Sequence, residues 1–429
     1  MNGTDAICSS GPAAPRGMEA RLRRQVMDRL AGLRHGCIRF HEGTGVTRLG
    51  EVSDARRLDV FVNHPRFWRR TALGGAAGVG EAYIDGDWDC NDLVPLMRLL
   101  LRNQTLLATL ESGPARLGAW MLRRWHGRNR NSRSGSARNI AAHYDLGNAL
   151  FRLFLDEDLQ YSSAVYTRAE QTLESAQRAK LERIGRKLDL RPHHHLLEIG
   201  TGWGGLAIHM AHEYGCRVTT TTLSREQHEL ASRRAAEAGL ADRITLLRSD
   251  YRDLQGRYDR IVSVEMVEAV GHQFLDGFFD CCASLLKEDG AMLLQAITIE
   301  DHRYRDALKR VDFIKRFVFP GSFIPCVSEL TASASRVSDL RLTHLEDIGP
   351  SYARTLAEWR RRFERQRKAV REQGYPEAFM RLWRYYLCYC EAGFRERSIG
   401  DAQLLFARRG NHRAQLLGDL IDWGEDGDA

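Results

Sequence analysis

The sequence has 429 residues, 43% of them hydrophobic and 28% charged, which is the composition of an ordinary globular protein with one or two domains. It has no run of about 18 uncharged apolar residues and no apolar segment behind a basic N-terminus, so we expect neither a membrane-spanning helix nor secretion. Its nine cysteines lack metal-ligand spacing and favour a reduced, cytoplasmic chain. The net charge of +7, mostly from arginine, fits either codon bias in a GC-rich genome or a partner with phosphate groups, which would be nucleic acid or anionic lipid.

The N-terminal region predicts a small, mostly helical domain over residues 1–122. One helical face there carries Leu22, Val26, Leu30 and Leu33, with arginines around it. A basic amphipathic helix of this kind lies on a membrane surface or packs on its own domain, and we favour the second interpretation. The segment AYIDGDWDCNDLVPLMRLLLRN adds a second apolar stripe at helical spacing.

Residues 123–138 are rich in Arg, Ser and Gly and poor in apolar residues, which predicts a basic linker. Beyond it, residues 139–429 predict the larger domain. Short apolar runs alternate there with segments of helical periodicity. The runs are HLLEIG, CRVTTTTL, ITLLRSD, DRIVSVEM and AMLLQAITI. This alternation is typical of a mainly parallel, doubly wound sheet covered by helices. We therefore expect an α/β, Rossmann-like fold with a smaller helical N-terminal domain.

A glycine-rich loop follows the first of these predicted strands. LLEIG runs into GTGWGG, which places Gly200, Gly202 and Gly204 ahead of the next helix. Glycines allow a sharp turn and a close approach to a ligand, and the helix N-terminus offers free N–H groups. Because Gly200, Gly202 and Gly205 also satisfy the dinucleotide pattern, the loop by itself leaves NAD open as its ligand.

The residues around the loop match a dinucleotide site poorly. Glu198, on the strand before the loop, would repel a pyrophosphate but can bind the ammonium group of an amino acid. The next strand ends in TTTLSREQ, with Thr222, Ser224 and Gln227, instead of the acid that an NAD ribose requires. Residues 250–252 (DYR) follow the third strand, where an adenine would be held. These features favour S-adenosylmethionine.

The segment after the fourth strand bears on the methyl acceptor. It reads EMVEAVGHQ and lacks the Asn/Asp-Pro-Pro-aromatic sequence typical of methyltransferases that act on base nitrogens. Pro325 and Cys326 are better explained as a turn than as a base-modifying thiol site, so nucleic acid becomes the less favoured acceptor. Aromatic residues cluster at 317–323 and 383–394, where most are expected in the core and the remainder would suit a hydrophobic acceptor.

A series of segments carries a family resemblance. They are HYDLGNALFRLFLDEDLQYSSAVY, TLESAQRAKLERIGRKLDL, LLEIGTGWGGLAIHMA, TTLSREQ, SDYRDL, DRIVSVEMVEAVG, FPGSFIP, SYARTLAEW and YYLCYCEAGFR. In this order they resemble the cyclopropane fatty acid synthase family, which includes mycolic acid cyclopropane synthases and their methyltransferase relatives. The resemblance runs from about His143 to Arg409, and GVGEAYIDGDWDC matches the small first domain of bacterial members.

The resemblance implies transfer of a methyl group from S-adenosylmethionine to the double bond of an unsaturated phospholipid acyl chain, which then forms a cyclopropane ring. A carbocation on the alkene survives only where water is excluded, and aromatic faces stabilise it. In the family a bound bicarbonate ion then removes a proton from the added methyl group. We expect the acyl pocket at residues 300–395. Methyl or methylene branching of the same chain, and a binding protein without turnover, remain as alternatives.

The resemblance also implies the site residues. The predicted catalytic residues are Glu268, Tyr352, Cys390, Ser163 and Gln295. Glu268 and Tyr352 would hold bicarbonate, with Cys390 nearby. Ser163 and Gln295 stand where the family often has Cys and usually has His, which leaves open whether they hold the ion. Glu265 is interpreted as structural, since many relatives have Gly there. The predicted cofactor-binding residues are Tyr161, Ser162, Glu198, Gly200, Gly202, Gly204, Thr222, Leu223, Ser224, Gln227, Asp250, Tyr251 and Arg252.

The expected partners follow from the substrate. Because the acyl chain lies in a bilayer, we expect a peripheral enzyme at the inner face of the cell membrane. The arginines of residues 21–34 and 123–138 would contact anionic headgroups. A homodimer is an open alternative, and no nucleic acid partner is expected. The histidines at 193–195 are not interpreted as a metal site, because consecutive side chains converge poorly.

Overall fold

The structure, a computed structural model, describes residues 15–51, 57–106 and 147–414. The predicted linker at 123–138 lies outside the described residues. No helix within these ranges is both long enough and apolar enough to cross a membrane.

The helices and strands of the described residues are numbered here in chain order. They are α1 (Met18–Leu30), β1 (Cys37–Glu42), β2 (Gly45–Gly50), β3 (Leu58–Val62), α2 (Arg66–Ile84), β4 (Trp88–Cys90), α3 (Leu93–Arg102), α4 (Asn148–Arg152), α5 (Leu173–Leu188), β5 (His195–Ile199), α6 (Gly205–Glu213), β6 (Arg217–Thr221), α7 (Arg225–Glu237), β7 (Ile244–Leu247), β8 (Tyr258–Val264), α8 (Leu275–Leu285), β9 (Leu286–Ile299), α9 (Asp301–Lys309), α10 (Phe313–Phe317), α11 (Val327–Val337), β10 (Arg341–Asp347), α12 (Gly349–Arg365), α13 (Arg367–Glu372), α14 (Glu377–Arg395) and β11 (Ile399–Ala407).

The chain divides into two compact units that interleave along the sequence. The first unit combines the described residues before 130 with Arg305–Gly321 and Leu356–Ser398. The second combines the described residues from 147 to Tyr304 with Ser322–Thr355 and the described residues from Ile399 onward. This division differs from the single boundary near residues 123–138 that the sequence predicted.

The first unit contains a four-stranded sheet with the order β2-β1-β3-β4, in which only β1 and β3 are parallel. The helical interpretation of this region did not include the sheet. Its strands are three to six residues long, too short to show a clear alternation of apolar and polar residues. The predicted amphipathic helix is α1, which packs on α2 and buries Val26, Met27 and Leu30, as the packed interpretation expected.

The second unit contains a seven-stranded sheet with the order β10-β11-β9-β8-β5-β6-β7. The five strands that the sequence predicted, β5 to β9, pair in parallel, which confirms the mainly parallel α/β fold. Strands β10 and β11 add an antiparallel edge. A continuous apolar core joins this sheet to α5 and α6, with Leu196 and Val262 fully buried at its centre.

The strand order places a crevice above the carboxyl ends of β5 and β8. Strand β5 lies between β6 and β8. The chain runs from β5 to β6 on one side and from β8 to β9 on the other, so these two connections leave in opposite directions along the sheet. In open parallel sheets, ligands bind outside the carboxyl ends of strands at such a switch point. The glycine loop after β5 and the acidic residues after β8 both lie at this edge.

Candidate active site

The glycine loop between β5 and α6 has the backbone that the sequence predicted. Gly200, Gly202 and Gly204 have positive φ angles of 106°, 52° and 86°. A Cβ atom added at Gly202 would meet no atom within 4 Å, whereas one at Gly204 would lie 3.0 Å from the Cβ of Ala231 on α7. The backbone at Gly202 therefore faces open space and can approach a ligand, while Gly204 allows close packing of the helix.

Glu198 lies on β5 immediately before this loop. Its Oε2 accepts a hydrogen bond of 2.6 Å from the Thr220 hydroxyl, which in turn lies 2.7 Å from the Thr201 hydroxyl. Burial raises the pKa of Glu198 to about 8, and the Thr220 bond opposes that rise. A desolvated carboxyl at this point becomes a strong acceptor when a cationic group binds beside it.

The predicted contact residues after β6 form an interlocked cap on α7. The Thr222 hydroxyl donates to Oε1 of Gln227 at 2.8 Å, and the Gln227 N–H donates to the Ser224 hydroxyl at 3.3 Å. Leu223, between them, is half-buried. These bonds hold the segment rigidly at the same edge of the sheet as the glycine loop.

The predicted adenine segment follows β7 as a short 3₁₀ turn, Tyr251–Asp253. Asp250 accepts two hydrogen bonds from the Arg252 guanidinium, at 2.8 and 2.6 Å. The Tyr251 ring packs edge-on against Phe278, with ring centroids 5.5 Å apart. The turn is thus fixed by its own ion pair and by an aromatic contact with α8.

Tyr161 and Ser162 lie in an irregular segment between α4 and α5. The Ser162 hydroxyl accepts a 2.7 Å hydrogen bond from the ammonium of Lys180, which also donates to Gln160 at 2.9 Å. Lys180 is fully buried on α5 and was not among the predicted site residues. Its signal in the sequence was a lysine between apolar positions of an otherwise amphipathic helix.

Three of the predicted catalytic residues converge on Glu265, at the end of β8. The Ser163 N–H and the Gln295 side-chain amide donate to its Oε1 at 2.8 and 2.9 Å. The Tyr352 hydroxyl donates to its Oε2 at 2.7 Å. Sequence reasoning assigned Glu265 a structural role, yet its carboxylate is the common partner of these groups.

Glu268 lies three residues further on, in the 3₁₀ turn Val267–Ala269. Its Oε1 accepts a 2.6 Å hydrogen bond from the Ile297 N–H, while its Oε2 is buried without a hydrogen-bond partner among the described residues. Burial and the neighbouring Glu265 charge raise the pKa of Glu268 to about 8. A buried carboxyl oxygen without a hydrogen-bond partner is suited to form a hydrogen bond with a ligand.

Strand β11 supplies two further site residues that the sequence did not predict. Asp401 accepts a 3.2 Å hydrogen bond from the Gln295 amide, and burial together with the Glu265 and Glu268 charges raises the pKa of Asp401 well above its ordinary value. Gln403 stands directly opposite Gln295 in the β9–β11 pair and donates to its Oε1 at 3.0 Å. Both were missed because the predicted sheet ended at β9.

The glycine loop and the acidic turn adjoin each other. A Cβ atom added at Gly200 would lie 3.3 Å from Cγ of Met266, the residue after Glu265. The residues predicted to hold a cofactor and those predicted to act on its substrate therefore meet at one edge of the sheet, as the chemistry of group transfer requires.

The last predicted catalytic residue, Cys390, lies on α14 in the first unit. Burial raises the pKa of its thiol, and the Asp312 carboxylate adds to the effect, so the thiol is neutral. The aromatic residues of this unit pack on one another, for example Phe319 on Tyr386 and Trp383 on Tyr386, with centroids 6.1 and 5.3 Å apart. Trp383 and Tyr386 are buried, as most of these residues were expected to be, whereas Phe319 is half-buried.

The histidines at 193–195 take separate partners. The Arg191 N–H donates to Nδ1 of His194 at 3.1 Å, and Nε2 of His195 lies 2.8 Å from the Thr219 hydroxyl. In the part of the chain that the structure describes, no group of His, Cys, Asp and Glu side chains is arranged to hold a metal ion.

Comparisons with known proteins agree with this geometry. The sequence matches the mycolic acid cyclopropane synthetase family over residues 131–404. It is 37% identical over 364 residues to the cyclopropane-fatty-acyl-phospholipid synthase of Escherichia coli K12, covering 83% of this chain and 90% of that protein. It is 36% identical over 373 residues to the tuberculostearic acid methyltransferase of Mycobacterium tuberculosis, covering 84% and 85%.

A solved structure of a mycolic acid cyclopropane synthase in complex with SAH and CTAB superposes with a TM-score of 0.60 at 30% identity. That comparison covers 63% of this chain and 98% of the other. With the glycine loop open at Gly202 and Glu198 desolvated beside it, the residues present fit S-adenosylmethionine. The chain belongs to the mycolic acid cyclopropane synthetase family and is an S-adenosylmethionine-dependent methyltransferase.

Proposed function

We propose that the protein methylates the double bond of an unsaturated acyl chain in a phospholipid and that the product is a cyclopropane ring. The relative from Escherichia coli is a cyclopropane-fatty-acyl-phospholipid synthase by name, which supports this reaction class. The observation that carries the proposal is the contact of the glycine loop, through Gly200 and Met266, with a turn bearing the two desolvated carboxyl groups Glu265 and Glu268. Methyl transfer to an alkene needs both a methyl donor and a sheltered proton acceptor.

Each group of residues at this edge of the sheet has a proposed role. Gly202 and the segment from Thr222 to Gln227 would hold S-adenosylmethionine, with Glu198 near its ammonium group. When bound, S-adenosylmethionine supplies an electrophilic methyl group: the alkene's electron pair forms the new C–C bond, and sulfur keeps the pair of the broken C–S bond. The reaction would also require that water be kept out of the site, because a carbocation on the acyl chain would otherwise be hydrated.

The bicarbonate ion that the family resemblance implies does not fit the residues of this chain. The donors expected around it are the Tyr352 hydroxyl and groups of Ser163 and Gln295. Their hydrogen bonds are directed at the Glu265 carboxylate, at 2.7 to 2.9 Å. A separate oxyanion would compete with a carboxylate that is covalently fixed in place, so no step of the proposed reaction is assigned to bicarbonate.

Methylene branching of the same acyl chain is the second candidate product. It is favoured by the comparable identity to a tuberculostearic acid methyltransferase, 36% against 37% for the cyclopropane synthase. Both products lose a proton from the added methyl group. For the ring, the released electron pair closes onto the cationic carbon directly. For the methylene branch, a hydride first shifts from the methylated carbon to the cationic carbon, and the released pair then forms the double bond between the methylated carbon and the added carbon.

Lipid analysis of cells that express the protein tests the proposal. Mass spectrometry should show monounsaturated acyl chains that gain one CH₂, and proton NMR should show ring protons for cyclopropane or olefinic protons for a methylene branch. The same cells without the protein provide the background. Purified protein that binds S-adenosylmethionine but leaves every unsaturated lipid unchanged would support a binding protein and refute the proposed function.

We also propose that the protein works at the membrane surface, bound through exposed arginines. Arg21 and Arg24 on α1 are exposed, while the apolar face of that helix is buried in its own unit. Contact through this helix would therefore be electrostatic.

A further inference from the structure

We infer that the Glu265 carboxylate is the proton acceptor of the reaction and that the protein therefore turns over without bicarbonate. The inference rests on the proposed function and adds to it a residue that takes the place of a dissociable base. It starts from the hydrogen bonds of Glu265, which bring Ser163, Gln295 and Tyr352 together on one carboxylate.

Three hydrogen-bond donors surround the Glu265 carboxylate, and the Asp401 carboxyl, whose pKa is raised in part by a hydrogen bond with Glu265, also contacts it. The Ser163 N–H, the Gln295 amide and the Tyr352 hydroxyl all donate to it, on both of its oxygens. An ionised carboxylate is an acceptor only, and hydrogen bonds of this kind favour the charged form. The three donors form an anion-binding site, and the anion in it is the Glu265 carboxylate of the chain itself.

The direction of the Gln295 amide is fixed by a chain of buried groups. The Lys187 ammonium can only donate, and it donates to Oε1 of Gln403 at 2.7 Å. The amide of Gln403 must then point its nitrogen at Oε1 of Gln295, at 3.0 Å. Gln295 therefore directs its own side-chain nitrogen at Glu265. This chain of hydrogen bonds from Lys187 through Gln403 to Gln295, called the relay below, makes Gln295 a donor to Glu265.

The surroundings of Glu265, Glu268 and Asp401 favour a single negative charge on these three carboxyl groups. Burial and the Glu265 charge raise the pKa of Glu268 to about 8, so Glu268 is neutral near pH 7, and they also raise the pKa of Asp401 well above its ordinary value. Burial also raises the pKa of Glu265, and its bonds to Tyr352 and Ser163 and the Lys180 charge oppose that rise. With three donors on Glu265 and a Gln295 bond on Asp401, we place the negative charge on Glu265.

The backbone at Glu265 is consistent with a functional constraint. Its φ angle is 49°, a left-handed conformation that residues other than glycine rarely adopt. A side chain there costs about 1–2 kcal/mol, and such strain persists where the surroundings hold it in place. The Glu265 N–H donates to the Gln295 carbonyl oxygen at 2.8 Å, which fixes the conformation.

The chemical step is a proton transfer to one Glu265 oxygen. After methyl transfer, one former alkene carbon is cationic and the C–H bonds of the added methyl group are strongly acidic. Glu265 accepts one of these protons, and the electron pair of the broken C–H bond closes the ring onto the cationic carbon. Glu265 becomes a neutral carboxylic acid and releases the proton to solvent before the next turnover.

Any carboxylate is basic enough for so acidic a proton, and burial raises the pKa of Glu265 further. The donors also restrain it from attacking the cation and forming an ester. A tethered base is present in every molecule, whereas a dissociable ion must first bind.

Turnover with and without bicarbonate tests the inference. We would measure lipid methylation in nitrogen-purged buffer and in the same buffer with sodium bicarbonate, with sodium chloride to match the ionic strength. Wild-type turnover should be the same in both. Glu265→Gln should lower turnover roughly 10²–10⁴-fold in both, because the amide cannot accept the proton. Glu265→Gly should be equally slow without bicarbonate and recover at least about tenfold with it, because the ion can bind the freed donors.

Two controls separate the role of Glu265 from a general loss of structure. Calorimetric binding of S-adenosylmethionine should be unchanged in both variants. Asp259→Asn, at the other end of β8, removes a carboxylate that accepts from the His195 N–H and Lys287, at 2.8 and 2.7 Å, and should leave turnover unchanged.

Wild-type turnover that requires bicarbonate, or a Glu265→Gln protein with wild-type turnover, would refute the inference while the proposed function stands. Wild-type protein that methylates no lipid in either buffer would refute the proposed function itself, and with it this assignment of the base.

Discussion

At the scale of single residues, Gly202 offers the sharpest test of the cofactor loop. Its φ angle is 52°, and an added Cβ would meet no atom of the described residues within 4 Å. We expect Gly202→Ala to lower the affinity for S-adenosylmethionine at least about tenfold, because the methyl group would occupy space that the ligand needs. Isothermal calorimetry measures this affinity directly.

Gly239 provides a matched control for the backbone strain. It follows α7, has a φ angle of 70°, and its added Cβ would also meet no atom within 4 Å. Gly239→Ala should cost stability similar to Gly202→Ala, about 1 kcal/mol, and leave cofactor affinity unchanged. Equal losses of affinity in the two variants would indicate that strain, and not contact with the ligand, explains the Gly202 effect.

Glu268 should make folding stability depend on pH. Its pKa is raised from 4.5 to about 8 by burial and by Glu265, so between these values the folded chain keeps a proton that the unfolded chain has released. Stability therefore falls as pH rises through this window. In Glu268→Gln this contribution is absent, and the free energy of unfolding should fall less between about pH 5 and about pH 8.

Urea denaturation at both pH values measures the Glu268 effect. The exposed Glu288 on β9 supplies the control, since Glu288→Gln removes the same charge from the surface. That variant should retain the pH dependence of the wild-type protein. A Glu268→Gln protein with the same pH dependence as wild type would contradict the raised pKa.

The prediction from sequence succeeded for residues whose neighbours along the chain define their place. Glu268 was singled out because its segment follows a buried strand and resembles a known family, and it does lie at that edge. The role of Glu265 could not be predicted in this way, because its partners Ser163, Tyr352 and Gln295 are 102, 87 and 30 residues away. Which carboxylate they would meet is decided by the packing of β8, β9 and α12.

At the scale of elements, the pairing of β9 with β11 carries the relay from Lys187 to Glu265. Gln403→Glu should separate the effects of this relay on stability and on activity. A carboxylate there still accepts from Lys187 but cannot donate to Gln295, whose amide should then turn its nitrogen toward the new carboxylate and its oxygen toward Glu265. We expect near wild-type stability and turnover lowered at least about tenfold.

Gln403→Leu tests the same relay through stability. It leaves Oε1 of Gln295 without its buried partner, and the free energy of unfolding should fall by about 1–3 kcal/mol. Gln255→Leu, at an exposed position, is the control and should change the free energy of unfolding by less than about 0.5 kcal/mol. Wild-type stability for Gln403→Leu together with wild-type turnover for Gln403→Glu would refute a positioning role for this pair.

The elements that were predicted are those whose sequence pattern is strong. Strands β5, β6 and β8 are short apolar runs bounded by helices, and all were predicted with nearly their observed bounds. Strand β10, which reads RLTHLED, is largely exposed and has no buried residue, so no apolar run marks it. The predicted helix through residue 290 ends at Leu285, because LKEDG continues into β9 as extended chain.

At the scale of the whole molecule, the interleaving of the two units could not be read from a linear sequence. Arg305–Gly321 and Leu356–Ser398 belong to the first unit although they follow the strands β5 to β9 in sequence. Within that unit, for example, Arg381 on α14 donates to Asp89 on β4 at 3.0 Å, across 292 residues of sequence. Such long-range contacts leave no local pattern in the sequence.

The net charge of +7 leads to the last prediction, which concerns the membrane surface. Val26, Met27 and Leu30 of α1 are buried and Met18 at its start is exposed, so this helix would contact a membrane mainly through its arginines. Each arginine near an anionic surface contributes about 1 kcal/mol, and salt screens the attraction. We therefore expect binding to vesicles that contain phosphatidylglycerol, weaker binding as salt rises, and little binding to pure phosphatidylcholine.

Co-sedimentation with these vesicles can locate the contact. The double variant Arg21→Ser, Arg24→Ser should lower the partition coefficient at least about tenfold at low salt, since two contributions of about 1 kcal/mol are lost. The double variant Arg225→Ser, Arg233→Ser removes the same charge from α7 of the second unit and should bind nearly as well as the wild type. Equal losses in the two double variants would indicate attraction by net charge alone, and binding that ignores both salt and lipid charge would refute an electrostatic contact.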